Sequence, residues 1–144
     1  MKGTPLEPIV TDLHHVAIVV ETIEAARPTY VDGLGLTPGE PEHVPDQKVN
    51  VLVCQAGGQR IELIEPASDD SPVSKFLAKR GGGLHHLAYR VADLEAALTR
   101  LKEAGVRLID DEPRPGAHGT RVAFLHPAAT NGVLTELVED NSGS

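Results

Sequence analysis

Residues 13–20 alternate as a β-strand does. His14, Val16, Ile18 and Val20 fall on one face, and Leu13, His15, Ala17 and Val19 on the other. The first face is bulkier and more β-branched, as a face covered by a helix should be. The second is smaller and carries His15. The alternation returns at 84–91, with His85, Leu87, Tyr89 and Val91 against Leu84, His86, Ala88 and Arg90. After each of these strands the period becomes helical. Thr22 is placed to cap a helix reaching about Val31, with Ile23, Ala26 and Tyr30 on one stripe and Pro28 weakening it. Asp93 caps a stronger helix on which Leu94, Ala97, Leu98, Leu101 and Ala104 form the stripe, and Gly105 ends it. Strands are predicted near 36–40, at 48–55 and at 59–65, with a Pro-flanked loop at 41–46 and Gly57-Gly58 as a hairpin turn. The second half has the same order: strands near 107–112, at 120–126 and at 133–138, with a loop at 113–119. Between the halves, Ser71 and Pro72 start a short helix that ends in Lys79 and Arg80, and Gly81-Gly82-Gly83 forms a hinge.

This order is a duplication. Leu13-His14-His15-Val16-Ala17 returns 71 positions later as Leu84-His85-His86-Leu87-Ala88, and Glu24-Ala25-Ala26 returns as Glu95-Ala96-Ala97. Ile61-Glu62-Leu63-Ile64-Glu65 returns as Thr135-Glu136-Leu137-Val138-Glu139 at an offset of 74, so the second copy carries a small insertion. Two copies make a duplicated half-domain rather than a repeat array. Each half reads βαβββ, which makes the chain α+β. At 144 residues it has the size of one domain, with module 1 at about 13–66, a linker helix at about 67–83 and module 2 at about 84–139. Residues 1–11 and 140–144 read as loose arms.

The repeat also carries chemistry. Each half opens with a strand bearing a His pair and closes with a strand bearing a carboxylate. A pseudo-two-fold between the halves brings two imidazoles and two carboxylates together, a donor set suited to Zn, Co, Ni, Fe or Mn. The second His of each pair lies on the small face that lines a concave space. Four protein donors with open positions suit a Lewis-acid catalyst, because substrate oxygens must reach the ion. The competing reading is a structural pattern preserved by duplication.

Composition narrows the partners. A formal net charge of −8, aromatics at 3% and the lack of Trp disfavour nucleic acid, which selects for basic surfaces and stacking rings. Cys54 is the only cysteine, so no internal disulfide can form. A reducing, cytoplasmic setting is expected, with Cys54 in the core. Met1 to Asp12 contain no apolar stretch of the signal-peptide kind, and no run has the length of a membrane span.

At its motifs the chain resembles the methylmalonyl-CoA epimerase family of the vicinal oxygen chelate superfamily. The resemblance runs over about 13–139. It rests on Leu13 to Ile18, Ile61 to Pro66, Ser71-Pro72-Val73 with Phe76-Leu77, Gly83 to Ala88, Asp111-Glu112-Pro113, Phe124 to Pro127 and Gly132 to Leu137. It implies two tandem βαβββ modules forming an eight-stranded open cup. The implied metal ligands are His15, Glu62, His86 and Glu136, the positions that the repeat selects. The implied cofactor is one divalent ion per chain: Co2+ first, with Zn2+, Ni2+ or Mn2+ as alternatives. The implied reaction interconverts (2R)- and (2S)-methylmalonyl-CoA by deprotonation at C2 through a metal-chelated enolate. The substrate partner is then an acyl-CoA, and a homodimer is expected, with the Pro8–Thr11 arm and strand edges as pairing surface. Some relatives carry Gln at the position of Glu62. Some also carry a base glutamate near the position of Val51, which cannot move a proton. His118, on the Gly-flanked loop Gly116-Ala117-His118-Gly119, and Glu136 are therefore the candidate acid/base groups. Two alternatives stand beside this reading: a glyoxalase I-like lactoylglutathione lyase and a metal-free small-molecule-binding module. The remaining histidines have structural readings. His14 and His85 sit at the strand mouths, His126 shapes a turn, and His43 is solvated.

Overall fold

The structure, a computed structural model, describes residues 8–141. Much of the two expected arms lies outside these residues. Inside them, the first strand starts earlier than the alternation predicts: β1 runs Val10–Val19, and Val10 already pairs with Val91. The other strands are β2 (Thr37–Pro38), β3 (Glu42–Val44), β4 (Val49–Ala56), β5 (Gln59–Pro66), β6 (Gly83–Val91), β7 (Arg114–Pro115), β8 (Arg121–Leu125) and β9 (Thr135–Glu139). They form one mixed sheet in the order β2-β4-β5-β1-β6-β9-β8-β7, with β3 added on β4. Eight strands in line make the curled open cup, and β3 is a ninth strand in the stretch expected as a loop.

The internal repeat is visible in the pairing. β1 pairs β5 in parallel and β6 pairs β9 in parallel, while β4–β5 and β8–β9 are antiparallel hairpins. The two halves join through the antiparallel pairing of β1 with β6. One expected strand fails. Near 107–112 only Leu108 bridges Leu125, and the pairing of this segment moves on to β7 at Arg114–Pro115. Asp110 explains the change, because its Oδ2 accepts the amide of Phe124 at 2.9 Å and so replaces a strand carbonyl.

The helices are α1 (Ile23–Arg27), α2 (Pro72–Arg80) and α3 (Leu94–Glu103). α1 is shorter than expected because Pro28 has no amide hydrogen to continue the ladder. The chain instead widens into a π-helical turn at Pro28–Gly33, where the Leu34 amide donates to Thr29 O at 2.8 Å. The caps fall where the sequence places them. Thr22 Oγ1 accepts from the Ala25 amide and Asp93 Oδ1 from the Ala96 amide, both at 3.1 Å. The hinge needs glycine at Gly82, where φ is +104° and a Cβ would stand 2.8 Å from Val19 O.

The core lies between the sheet and its helices. α1 covers Leu52, Cys54 and Leu63, and α3 covers Val91, Ala123, Leu125 and Leu137. Leu52, Leu63 and Leu94 are fully buried, each worth about 1.5–3 kcal/mol of transfer free energy. Cys54 is buried in this core as expected. Among the described residues no helix is long and apolar enough to cross a membrane.

One further pair of residues respects the repeat. Glu65 Oε1 accepts the Ile23 amide at 2.6 Å, and Glu139 Oε1 accepts the Leu94 amide at 2.9 Å. The last glutamate of each half therefore ties its closing strand to the first amide of its helix, one that no helical carbonyl can satisfy. Glu65→Ala and Glu139→Ala should each lower unfolding free energy by about 1–2 kcal/mol, as the loss of a charged cap does. Urea denaturation of the two variants reads this directly, with Glu24→Ala, which makes no such bond, near wild type.

Candidate metal centre

The seam between β1 and β6 builds the site. In its register His15 faces Ala88 and Ala17 faces His86. The parallel partners extend each row, since Ala17 pairs Glu62 and Ala88 pairs Glu136. Residues directly opposite across a sheet share a face. One row therefore reads Glu62–Ala17–His86 and the next His15–Ala88–Glu136. Two fully buried alanines lie between the imidazoles and the carboxylates. Their size explains why the repeat carries Ala there: a larger side chain would fill the space on which the donors converge.

The alternation predicts that His14 and His15 point to opposite faces, but both line one cavity of about 290 Å3. The reason is a bulge. The register shifts between Leu13/Tyr89 and His15/Ala88, leaving His14 as the extra residue. The same happens in β6, where the shift between Ala17/His86 and Ile18/Leu84 leaves His85 extra. Each first histidine thus lies against the ring that follows it: His14 Nδ1 is 2.8 Å from His15 Nδ1, and His85 Nδ1 is 2.8 Å from His86 Nδ1. His14 Nε2 meets Asp140 Oδ2 at 2.7 Å. His85 packs its ring on Phe76 instead.

The donors converge. His15 Nε2 lies 3.1 Å and His86 Nε2 3.0 Å from Glu136 Oε1, and the two Nε2 atoms are 3.4 Å apart. One ligand atom from each of His15, His86 and Glu136 fits within 4.8 Å of the others, and all three residues are buried. Glu62, also buried, lines the same cavity but stands on the far side of the His15 ring, its Oε2 3.3 Å from Nδ1. Two neutral imidazole nitrogens and a carboxylate oxygen facing one point fit a divalent ion. The same groups are strongly coupled electrostatically. Burial opposes charge on Glu136, but His86 and His15 outweigh it and hold its carboxyl well below the usual range. Burial likewise opposes charge on His15, and Glu62 and Glu136 raise its pKa regardless. Glu62 is pushed upward, first by burial and then by Glu136 against the pull of His15.

Around the donors the walls are mixed: Val51, Val53, Ile64, Val122 and Val138 line the cavity together with Gln47, Gln55 and Thr120. Val51 stands where a proton-moving group would be useful and offers none. His118 lines the same cavity on a short 3-10 turn, at φ +56°, and is half exposed. Its amide donates to Glu42 Oε1 at 2.8 Å and its Nδ1 lies 3.2 Å from the same oxygen. Arg114 Nε reaches Asp46 Oδ2 at 2.8 Å, and Gln47 Nε2 reaches Pro115 O at 3.3 Å. These three contacts lash the loop of the second half to residues 42–47 of the first. His43 is exposed and bonded to Asn50, and His126 Nδ1 accepts the Ala128 amide in a turn, as their sequence readings have it. Sequence reasoning missed Asp140 and Arg60, both of which line the cavity. Arg60 was legible as the residue two before Glu62 on the same strand face. Asp140 follows the last strand, where periodicity carries no signal.

Known proteins share this arrangement of strands. A profile of the Glyoxalase/Bleomycin resistance protein/Dioxygenase superfamily matches residues 14–124. Ethylmalonyl-CoA/methylmalonyl-CoA epimerase of Cereibacter sphaeroides is 46% identical over 127 residues, which is 87% of this chain and 95% of that protein. The crystal structure of methylmalonyl-CoA epimerase from Mycobacterium tuberculosis superposes with a TM-score of 0.87 at 37% identity, covering 95% of this chain and 93% of that one. A structure of methylmalonyl-CoA epimerase in complex with methylmalonyl-CoA and NH4+ gives 0.85 at 35% identity, covering 92% and 96%.

His15→Ala and His86→Ala should each lose one Co2+ equivalent in titrations followed by absorbance. Ala88→Val should also weaken Co2+ binding, because it intrudes between two donors, and should cost about 1–3 kcal/mol of stability by overpacking. Retention of a full, equally tight equivalent in either histidine variant would remove that residue from the ligand set.

Proposed function

We propose that this chain, which belongs to the Glyoxalase/Bleomycin resistance protein/Dioxygenase superfamily, is a metal-dependent epimerase that interconverts (2R)- and (2S)-methylmalonyl-CoA. The observation that carries the reading is the convergence of His15 Nε2, His86 Nε2 and Glu136 Oε1 in the cavity of the cup. The similarity to epimerases of ethylmalonyl- and methylmalonyl-CoA supports the substrate class. In this reading His15, His86 and Glu136 hold one divalent ion, Co2+ first among candidates, and Glu62 becomes the fourth donor only by turning from His15 Nδ1 toward the ion. The ion, when bound, polarises the thioester carbonyl as a Lewis acid.

The protein groups do the rest. The C2 proton of the substrate is acidic because it lies between a thioester and a carboxylate. Val51, Val53, Ile64, Val122 and Val138 keep water from that carbon, which strengthens the interaction of charge developing there with the ion-binding groups beside it. Epimerisation needs an acid/base on each face of C2. His118 serves one face. Its imidazole belongs to a loop at the cavity wall, and Glu42 holds one side of the ring. Glu136 serves the other from beside the ion. Its depressed pKa makes it a weak base, so its contribution comes from proximity and not from basicity. A homodimer belongs to the same reading, with the open edges of the sheet at β2 and β7 as its pairing surface. The Pro8–Thr11 stretch adds little to that surface, since Val10 pairs Val91 and Thr11 bonds Arg90 O within the chain.

Incubation of racemic methylmalonyl-CoA with Co2+-loaded protein in D2O should place deuterium at C2. No exchange, together with turnover of a glutathione hemithioacetal, would replace the epimerase with a lyase. His118→Ala should keep its metal and slow epimerisation by on the order of 10²-fold, exchanging the proton of one epimer faster than that of the other. Near-normal turnover would return His118 to the surface.

A further inference from the structure

The two ligand imidazoles are held differently, although duplication made them equivalent. His14 Nε2 lies 2.7 Å from Asp140 Oδ2, and His14 Nδ1 lies 2.8 Å from His15 Nδ1. His85 stands against His86 in the same way, but its outer side packs on Phe76 and no carboxylate contact to it is found among the described residues. The sequence explains the difference. At the repeat offset of 74, the position of Asp140 corresponds to Pro66. Only one half has a carboxylate at the end of its His pair.

A carboxylate accepts and does not donate. The proton between His14 and Asp140 therefore sits on His14 Nε2. With its one proton there, the His14 ring presents Nδ1 as an acceptor. His15 must then donate from its own Nδ1, so Nε2, the nitrogen facing His86 Nε2 and Glu136 Oε1, is the one left to give its electron pair to an ion. Glu62 Oε2, the other group beside His15 Nδ1, is farther away at 3.3 Å and reinforces the same proton position. Asp140 is itself held: Arg90 Nη1 bonds its carbonyl at 3.5 Å and lies 3.9 Å from its carboxylate. Its side chain is almost fully buried.

We propose that Asp140 is a positioning residue that acts through His14, fixing the His15 proton on Nδ1 so that Nε2 is free and oriented to bind the ion. This rests on the metal reading above, but it assigns a role to two residues outside the ligand set. Outer partners of this kind typically change metal affinity by 10–100-fold.

The test uses the whole chain with 15N-labelled histidine. In metal-free protein, long-range 1H–15N spectra should show a proton on His15 Nδ1. Asp140→Ala should shift His15 toward a mixture of tautomers and weaken Co2+ binding by on the order of 10–100-fold. Asp140→Asn, which keeps an acceptor oxygen, should stay closer to wild type in both measurements. Asp12→Ala removes a nearby exposed carboxylate that also bonds Arg90, and should change neither. A wild-type His15 with no proton on Nδ1, or an Asp140→Ala variant with wild-type tautomer and affinity, would overturn the proposal. If wild-type protein takes up no Co2+, the metal reading fails and the tautomer spectra alone decide the relay.

Discussion

The structure depends on one seam, the antiparallel pairing of β1 with β6. Each half has its own hairpin, parallel strand and covering helix, and could satisfy most of its backbone alone. Neither half alone has a site. The seam sets residues 71 positions apart on neighbouring strands, and its register decides that His15 meets Ala88 and Ala17 meets His86. A one-residue slip would turn the imidazoles to the helix-covered face and leave them among leucines. The two bulges lock this register, since each places one extra histidine where only the present pairing can accommodate it.

The seam collects groups that are costly to bury. His15, His86, Glu62 and Glu136 are all at most 8% exposed, on a sheet whose other inward residues are mainly Val, Ile and Ala. Such groups persist only when each satisfies another. They do so here, and every described buried side-chain polar atom has a partner. The two carboxylates do not share the burden equally. Glu136 lies against both imidazoles and is held ionised, while burial pushes Glu62 toward its neutral form. An ion among the donors would favour the charged carboxylates and the neutral imidazoles together, and so would relieve the conflict that the fold creates.

Much of this was legible because the sequence states it twice. A single His-His pair on a strand says little, but two pairs, each followed by a carboxylate on the closing strand of its half, point to a shared site from sequence alone. The face assignment of His15 and His86, the caps at Thr22 and Asp93 and the hinge at Gly81–Gly83 follow from period and residue type. What escaped was whatever breaks period. A bulge adds one residue without changing composition, so alternation assigned His14 and His15 to opposite faces. The side chain of Asp110 stands in for a strand carbonyl, so hydrophobic pattern alone overextended the strand near 107–112. Glu65 and Glu139 repeat as faithfully as Glu62 and Glu136, yet a carboxylate aimed at a helix amide and one aimed into the cavity look alike in sequence. Only the pairing register separates them, by turning consecutive odd and even positions to opposite faces.

The departures from symmetry carry as much meaning as the symmetry. A site built from two equal halves would treat the two faces of a bound carbon alike. Here the second half projects His118 into the cavity from a loop, while the corresponding part of the first half offers Val44 and Gln47. The position of Asp140 corresponds to Pro66, so the histidine on one side is anchored by a carboxylate and the one on the other by an aromatic ring. On the proposed reaction this is what the chemistry asks for. In that proposal one floor serves both epimers, and the pseudo-symmetry about the seam suits it. The two groups proposed to move protons differ, His118 on a half-exposed loop and Glu136 buried against the imidazoles. Duplication supplied the first requirement, and divergence of a few residues at the rim of the cup supplied the second.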